Sequence, residues 1–594
     1  MGEGAKKLGA VTVSEPYFAR GEASKLVLAD CGTVTLSTNQ LQVGYRKTAE
    51  NRSGQVAEMK VTNTKVVMPD ADVNDFDLGL VSVGCGLMPG RLTVGEGADV
   101  ELGLAVGQAV GTVAGGSGAV IVDGGALKLR APVHTAGGKT TTDYPSIGSC
   151  ANAQGFLGIY GDSTVEFDTA LNLTYSSSSS ATVCQEGGFL YSDGYLRLGY
   201  APNGLATYYM TGGAASVFVL QMPYILYSAV NSRPVLTLDG DCTFTNRHST
   251  LNMALGSAEN ETEFKGTTAI VNLNNGGKLV SGELTKRNGY RIMPEAVRAY
   301  VNFAGGTFCL HSDGSVFDKD ATKMDAVTVS PQGATIEVAA GKKGSVDVPL
   351  AKPSGKGVQS VAWDGELAER TFAGAPTVAI YGDGWGATAV ALWDRTTGKV
   401  SGIKVTSPGC DYTEAVAEIR CGNKYGTVCD WATNACTLAD NDVTTGVGFA
   451  KGGPGELVLN QPNTYCGPTE VREGALVLGC DGALPTGTAI RLTGGHLATA
   501  EGVALPALKY AFALGETQTS DAAVTFAEGT TAVIAGLEEL DPEANAYVLA
   551  NFEKGIVNPE NLVCTTALPE GWKFRVTAKK VRLVRSRGSM LILR

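Results

Sequence analysis

Apolar and polar residues alternate along the chain in short runs, and most runs end at a glycine, asparagine or aspartate. The pattern is visible in KLVLADCGTVTLSTNQLQVG (25–44), GRLTVGEGADVELG (90–103), GAVIVDGGALKLR (118–130), GGFLYSDGYLRLG (187–199), ATYYMTGGAASVFV (206–219) and YVNFAGGTFCLHSDGSVF (300–317). A period of two marks a strand with one buried face. No stretch longer than a few turns has the i, i+3, i+4, i+7 apolar spacing of an amphipathic helix. The unit of strand, Gly-Gly or Asp-Gly, strand returns loosely every ~20–25 residues, and self-similarity at such a period points to a repeat architecture.

Two arrangements fit this grammar. Asp123-Gly124 and Asp193-Gly194 suit tight hairpins of antiparallel sheets, and equally the corners between successive faces of a parallel stack. The stack is favoured by the length of the chain without a sandwich-sized boundary and by grouped short strands with inward Val, Leu and Ile. Glycine recurring where the chain must turn with positive φ favours it too. The predicted fold is all-β: a rod-like, right-handed parallel β-helix, or solenoid, whose end coils need caps, with a small C-terminal β module. Composition shifts divide it. Residues 1–340 are β-helix with a loop-like insertion near 132–185, which holds the serine run Ser176–Ser180. A Cys-containing β segment follows over 341–445, further β-helix coils over 446–535, and the C-terminal β module over 536–594.

Composition agrees with packed β-structure rich in turns. Glycine supplies 78 of 594 residues, about twice its usual ~7% share. Charged residues are only 18% and apolar residues 44%, enough for a core and against disorder. A net charge of -12 argues against nucleic acid, which needs a basic stripe, and against electrostatic docking on anionic lipid. The late basic run Lys579, Lys580, Arg582, Arg585, Arg587 alternates with Val581, Leu583 and Val584 and reads as one solvated strand face. No apolar run reaches the ~18 residues of a transmembrane helix. The first residues lack the apolar stretch of a signal peptide, so the chain is expected either to have had its signal removed or to be a piece of a longer one. Of 13 cysteines, the denser group Cys410, Cys421, Cys429 and Cys436 is the place where a disulfide is expected, and the absence of a CxxC pair disfavours a zinc ribbon or finger.

Residues 452–478 read GGPGELVLNQPNTYCGPTEVREGALVL. This segment resembles the autotransporter-associated β-strand repeat of bacterial surface-protein passenger domains. The pattern runs Gly-x-Gly-x-Leu-x-Leu, Asn-Thr-Tyr-x-Gly, Thr-x-Val, Gly-x-Leu. The matching positions are Gly453, Gly455, Leu457, Leu459, Asn463, Thr464, Tyr465, Gly467, Thr469, Val471, Gly474 and Leu476. GTAIRLTGGHLATA (487–500) fits the next coil, 194–217 is similar to looser coils of such proteins, and VSGIKVTSPGCDYTEAVAEI (400–419) to a small β unit that punctuates them. Alternation sends Leu457, Leu459, Leu476 and Leu478 inward, Asn463 sits where an Asx-type turn is wanted, and Tyr465 is placed to cover a neighbouring coil. Members of this family usually end in a membrane β-barrel. The C-terminal GWKFRVTAKKVRLVRSRGSMLILR lacks the many ~10-residue amphipathic strands of one, so the resemblance implies a passenger-like rod without self-translocation.

Catalytic and metal-binding patterns are sparse. Asp70, Asp72, Asp75 and Asp77 could gather oxygens for Ca²⁺, but the glycine of a calcium loop is absent and a polar loop is the better reading. Asp239, Asp241 and Asp383 could pair as acid and base, yet each stands beside glycine in turn chemistry. His134, His248, His311 and His496 share no metal or triad spacing. Tyr191, Tyr195, Tyr200, Tyr208, Tyr209, Tyr224 and Tyr227 crowd one stretch, either as a binding stripe for sugars or proteins or as aromatic stacking in the core. Tyr191, Tyr195, Tyr200 and the glycine-flanked Trp385 are the candidate surface contacts. No catalytic or metal residues and no cofactor are assigned. The expectation is a secreted or bacterial cell-surface protein, structural or adhesive and not an enzyme. Its partners are itself, through head-to-tail assembly into fibres or a surface layer, or an environmental glycan or protein. The rival readings are a polysaccharide-active β-helix lyase or hydrolase and a tail-spike-like glycan-binding protein.

Overall fold

The computed structural model describes residues 10–13, 17–20, 25–36, 40–46, 56–68, 80–108, 115–131, 133–136, 139–142, 144–225, 230–253, 255–256, 265–288, 291–292, 297–320, 323–422, 430–441 and 444–586. Strand is the dominant regular structure of the described residues, and most strands pair in parallel. It divides into two compact units. One holds residues 1–302, 320–325 and 353–442, the other 303–319, 326–352 and 443–594.

In the first unit the chain visits three columns of parallel strands in turn. The first column runs through Lys25–Ala29, Ala57–Thr62, Gly90–Val94, Ser117–Asp123, Gln154–Tyr160, the start of Ser180–Leu198, the start of Leu205–Gln221, Arg233–Asp239 and Thr267–Asn274. Like residues stack in register. In the second column Val34, Val66, Val100, Leu127, Val165, Leu190, Ala215, Phe244 and Leu279 lie one above another, and those through Phe244 and Leu279 are at most 1% exposed. The third column stacks Leu173 on Ile147 and Leu198, with Leu196 beneath Leu220. Backbone pairing above and below each strand satisfies its N–H and C=O groups, while the inward aliphatics bury one another.

The sequence-expected insertion at 132–185 is largely absent. Only its start leaves the stack, as the hairpin Val133–Ala136 with Lys139–Thr142. Ser146–Ile147, Gln154–Tyr160, Thr164–Phe167 and Ala170–Leu173 are ordinary column strands. The serine run is a corner whose hydroxyls bond the chain: Ser176 Oγ donates to the Ser149 carbonyl (2.9 Å) and Ser180 Oγ to that of Ala153 (3.3 Å).

Residues 356–440 form an antiparallel module in the same unit. Lys356–Val361, Asp430–Asp440, Ala415–Gly422 and Thr377–Gly382 make one sheet, and Thr388–Trp393 pairs with Val400–Ser407 as a hairpin. Its core includes Val358, Phe372, Ile380, Val400, Ala417 and Ile419. The module covers the outward face of the first column through a ladder of polar contacts. Arg91 donates to the carbonyls of Phe372 and Ala373, Gln154 to that of Ala375 (2.9 Å), and Arg233 to that of Ile380 (2.8 Å). Thr182 meets Thr377 (2.8 Å), Asn272 donates to Thr388 (2.8 Å), Asn274 to the Thr406 carbonyl (2.7 Å) and Asn302 to that of Gly386 (3.2 Å). Arg420, 3% exposed, donates to the carbonyls of Ser178, Ser179 and Asn203 at 2.8–3.2 Å.

In the second unit Ala334, Phe449, Thr469, Ile490, Tyr510, Ala532 and Cys564 stack in one parallel column. Parallel pairing thus runs past residue 535, where the C-terminal module was expected to begin. The antiparallel part is the sheet of Ala546–Asn551, Lys580–Arg585 and Trp572–Val576. A second column stacks Gly344, Leu457, Leu476 and Leu497, and Leu457, Leu459 and Leu476 are fully buried, with Leu478 1% exposed. Lys451 occupies an inward place between Ile336 and Val471. Its side chain is 0% exposed, and its ammonium donates to the carbonyls of Gly453 (2.5 Å), Gly455 and Glu473 (2.7 Å).

Candidate functional site

The residues singled out from the sequence have definite places. In the 452–478 segment Gly453, Gly467 and Gly474 have positive φ; at Gly467 an added Cβ would meet the Gly446 carbonyl oxygen at 2.2 Å. Gly455 donates its N–H to the Val338 carbonyl (3.0 Å). Asn463 makes no local turn bond with its side chain. Its Oδ1 accepts from the Leu350 N–H (2.7 Å) and its Nδ2 donates to the Ala483 carbonyl (2.6 Å), pinning three chain segments together. The neighbouring Thr464 N–H bonds the Leu350 carbonyl (3.0 Å). Tyr465 is 2% exposed, with its hydroxyl 2.6 Å from Thr469 Oγ1, and Val471 is fully buried.

The disulfide expected among Cys410, Cys421, Cys429 and Cys436 is not formed by the described members. Cys410, Cys421 and Cys436 are not joined in a disulfide, and Cys429 lies outside the described residues, as do Asp70, Asp72, Asp75, Asp77 and Tyr227. Cys410 and Cys421 are buried in the module, and burial pushes the Cys410 thiol up to about 11.

The isolated carboxylates do structural work. Asp383 accepts from the Thr413 hydroxyl and from the N–H groups of Thr413 (2.9 Å) and Glu414 (3.0 Å), which hold its carboxyl down at about 2. Asp239, 6% exposed, accepts from Lys404 (2.7 Å), Asn275 (2.6 Å) and Tyr209 (3.1 Å). His496 bonds Asp521 (2.6 Å) and His248 bonds Thr250. Among the described residues no group of three or more His, Cys, Asp or Glu is placed to hold a metal ion.

Trp385 is not a free surface ring. It stacks on Tyr300 with centroids 5.0 Å apart and donates its N–H to Asp411 (3.1 Å). The tyrosine-rich stretch divides by register. Tyr208 is fully buried, and Tyr209 lies 8% exposed beside the hairpin's Lys404, which donates to its hydroxyl (3.0 Å). Tyr191, Tyr195 and Tyr200 fall on the outer surface: Tyr200 follows the third column, and Tyr191 and Tyr195 flank the corner between the second and third columns.

That corner carries an aromatic and arginine surface. Phe189, Tyr195 and Phe218 are 40%, 38% and 43% exposed. Phe189 stacks on Tyr191, and Phe218 meets the His248 ring edge to face. The Arg247 guanidinium lies 4.7 Å from the Tyr191 centroid and donates to Asp193 (2.8 Å) and the Ser192 carbonyl (2.6 Å). The Tyr191 hydroxyl donates to the same Asp193 oxygen (2.7 Å). Arg197 stands over Tyr195 and Tyr144, and Tyr200 stacks on the exposed Tyr175 at 5.1 Å. The rings are thus held in place before any partner arrives, which lowers the entropy lost on binding.

A second feature, absent from the sequence reading, is a cleft of about 180 Å³ between the hairpin and the first column, lined by Phe156, Tyr160, Glu186, Tyr209, Trp393 and Ser401 among others. Trp393 packs on Phe156 with centroids 5.0 Å apart. Acidic residues recur near the end of the first column at Asp123, Glu186 and Asp239. Asp123 pairs with Arg395 (3.4 Å) and Asp239 with Lys404. Burial pushes the Tyr209 hydroxyl up to about 12.

The chain matches no known protein-family profile, and no curated protein matches it. No helix among the described residues is long and apolar enough to cross a membrane.

Proposed function

We propose that the chain is a right-handed parallel β-helix of the autotransporter-passenger type, secreted or held at a bacterial cell surface, and that it acts as a structural or adhesive protein rather than an enzyme. Three stacked columns with in-register inward aliphatics support the β-helix reading, and the placement of Leu457, Leu459, Tyr465 and Leu476 in the 452–478 repeat supports the family resemblance. The observation that carries adhesion is the corner surface of Phe189, Tyr191, Tyr195, Phe218, Arg197 and Arg247. Exposed aromatics and arginines held rigid by their neighbours are the residues that dominate binding surfaces, and their packing on one another leaves the stack itself intact without a partner. The test is retention of protein-coated beads on immobilised glycans and extracellular matrix proteins. A Phe189→Ser, Tyr195→Ser, Phe218→Ser variant is expected to lose retention while its circular dichroism stays unchanged. Equal retention by the variant would overturn the assignment of this surface.

A polysaccharide-active enzyme is the second reading, favoured by one observation: Glu186 and Asp394 line the same cleft, and glycan hydrolysis uses two carboxylates. Release of reducing ends from pectin, alginate or a similar polymer, abolished in Glu186→Gln, would decide for it.

A further inference from the structure

We infer that the cleft between the 388–407 hairpin and the first column binds one neutral pyranose unit of a saccharide. This goes beyond the adhesive reading and does not rest on it, because the cleft and the corner surface share no residues. The cleft's walls come from segments more than 150 residues apart, Phe156–Tyr209 and Ala391–Ser401. Its size of about 180 Å³ is below the ~300–1,000 Å³ of pockets that enclose drug-sized molecules and suits a single small ring.

Aromatic surface and hydrogen-bonding groups meet there. Trp393, half-buried, is braced by Phe156 at 5.0 Å on one side, and the Arg91 guanidinium lies 5.5 Å from its centroid. Such a braced indole offers an apolar surface to the C–H face of a sugar ring. Ser401 lines the same cleft; its hydroxyl donates to the Leu392 carbonyl (3.3 Å) and keeps its lone pairs to accept from a sugar hydroxyl.

Charge selects among sugars. The cations nearest the cleft are already committed: Arg395 pairs with Asp123 and lies 4.4 Å from the Tyr160 centroid, and Lys404 pairs with Asp239 and Tyr209. Arg91 pairs with Glu58 at 3.1 Å. Among the described residues the lining carboxylates Glu186 and Asp394 form no ion pair. Glu186 is exposed, and its contact within the chain is the Cys184 thiol at 3.8 Å. Asp394 accepts the N–H groups of Thr396 (2.7 Å) and Thr397 (3.1 Å) on Oδ1, with the hydroxyls of the same two threonines also bonding its carboxylate, so Glu186 is the more available acceptor. Two carboxylates with acceptor capacity suit the hydroxyl donors of a neutral sugar and repel a uronate. An amine or quaternary ammonium ligand fits less well, because Tyr160, Trp393 and Tyr209 each already have a protein cation near the ring.

The test uses the full chain, titrated with the methyl glycosides of glucose, galactose, mannose and N-acetylglucosamine and with galacturonate, read by tryptophan fluorescence and by calorimetry. Saturable binding of at least one neutral glycoside is expected, with galacturonate weaker than its neutral counterpart galactose. Glu186→Gln should weaken the neutral ligand about tenfold, the worth of one charge-assisted hydrogen bond, and Ser401→Ala should weaken it several-fold. Both residues are exposed, so neither variant threatens the fold. The Phe189→Ser, Tyr195→Ser, Phe218→Ser variant should bind the glycoside as the parent does, which keeps failure of this site separate from failure of the corner surface. The inference is overturned if no neutral glycoside saturates by either readout, if galacturonate binds tighter than galactose, or if Glu186→Gln and Ser401→Ala both bind as tightly as the parent.

Discussion

Leu457→Ala tests the assignment of inward and outward faces in the 452–478 segment, and the structure sets its size. Leu457 is 0% exposed, stacked between Gly344 and Leu476. Removing three buried carbons at about 0.8 kcal/mol each costs about 2.4 kcal/mol of transfer free energy. The hole left behind adds to this, since a residual cavity of about 60 Å³ at ~24 cal/mol per Å³ is worth about 1.5 kcal/mol more. Collapse of the site is limited because the neighbour in register is a glycine. A Cβ at Gly344 would meet Leu457 Cδ1 at 3.3 Å and Leu310 Cδ2 at 2.8 Å, so Leu457 is filling the space that Gly344 leaves. The total is about 4 kcal/mol. Glu456 lies next to it on the outward face, 3.4 Å from Lys343, with both side chains substantially exposed; losing such a pair costs about 0–1 kcal/mol.

The assay is amide exchange by mass spectrometry over 449–478, because a chain of stacked repeats need not unfold in one step. Amides of this segment that exchange through its opening should speed up about a thousandfold in Leu457→Ala, since each 1.4 kcal/mol is a factor of ten, and less than about fivefold in Glu456→Ala. Gly344→Ala supplies the cross-check. Alone it should destabilise by crowding Leu457 and Leu310, whereas in the Leu457→Ala background it meets only Leu310 at less than van der Waals distance and should cost less. Equal small effects of Leu457→Ala and Glu456→Ala would refute the alternation, and strict additivity in the double variant would refute the filling of the Gly344 site.

Arg420→Met should loosen the 356–440 module by about 3–5 kcal/mol, because three carbonyls and Glu418 lose their buried partner; limited proteolysis within the module should accelerate while the 446–535 region keeps its parental pattern. Asn463→Ala should cost about 2 kcal/mol or more, leaving the Leu350 N–H and the Ala483 carbonyl unpaired, and it should be read as faster amide exchange at Leu350. The Asp383 carboxyl is held down at about 2 by the Thr413 hydroxyl and the two N–H groups, so its folded pKa lies below the ordinary ~3.9. Its contribution is therefore complete above that ordinary value and is lost as pH falls toward 2. Exchange at Thr413 and Glu414, corrected for intrinsic rates, should accelerate on acidification over that range in the parent and vary little in Asp383→Asn.

The sequence pattern was most legible where a strand has one buried face. Leu457, Leu459, Leu476 and Leu478 alternate with more exposed neighbours, and their burial follows that alternation. It was least legible where a strand is covered on both faces. Ser117–Asp123 and Gln154–Tyr160 are buried at nearly every position; of the segment 118–130, read above with the alternating runs, only Ala126–Arg130 alternates, and Gly118-Ala119-Val120-Ile121-Val122 does not, for that reason. Val120 and Val122 belong to the inward stack, while Ala119 and Ile121 pack with Phe156, Ala373 and Ala375 beneath the module. The break in period was itself the signal that something covers that face. Its identity was hidden because the covering residues lie some 250 positions later. The serine run misled for another reason. Hydrophilic composition reads as loop, yet Ser179 and Ser180 are buried, since a hydroxyl at a corner can bond the carbonyl of the preceding strand.

Lys451 and the cleft show the same limit at single residues. In Phe449-Ala450-Lys451 the period of two sends lysine inward beside Phe449, which composition alone argues against. The three carbonyls that satisfy its ammonium belong to Gly453, Gly455 and Glu473, two of them in the glycine turn that opens the 452–478 segment. That turn therefore provides a cradle for a buried cation as well as a reversal of the chain. The cleft has no local signature, because each contributor obeys a structural rule of its own strand: Phe156 and Trp393 pack on one another, Asp394 opens a turn through the N–H groups of Thr396 and Thr397, and Glu186 follows a buried Gln185. Only the docking of the module sets these groups side by side. The polar ladder of Gln154, Thr182, Asn272 and Asn274 that fixes the docking is thus also what gives the cleft its geometry, and a substitution in that ladder should change the cleft before it changes the stack.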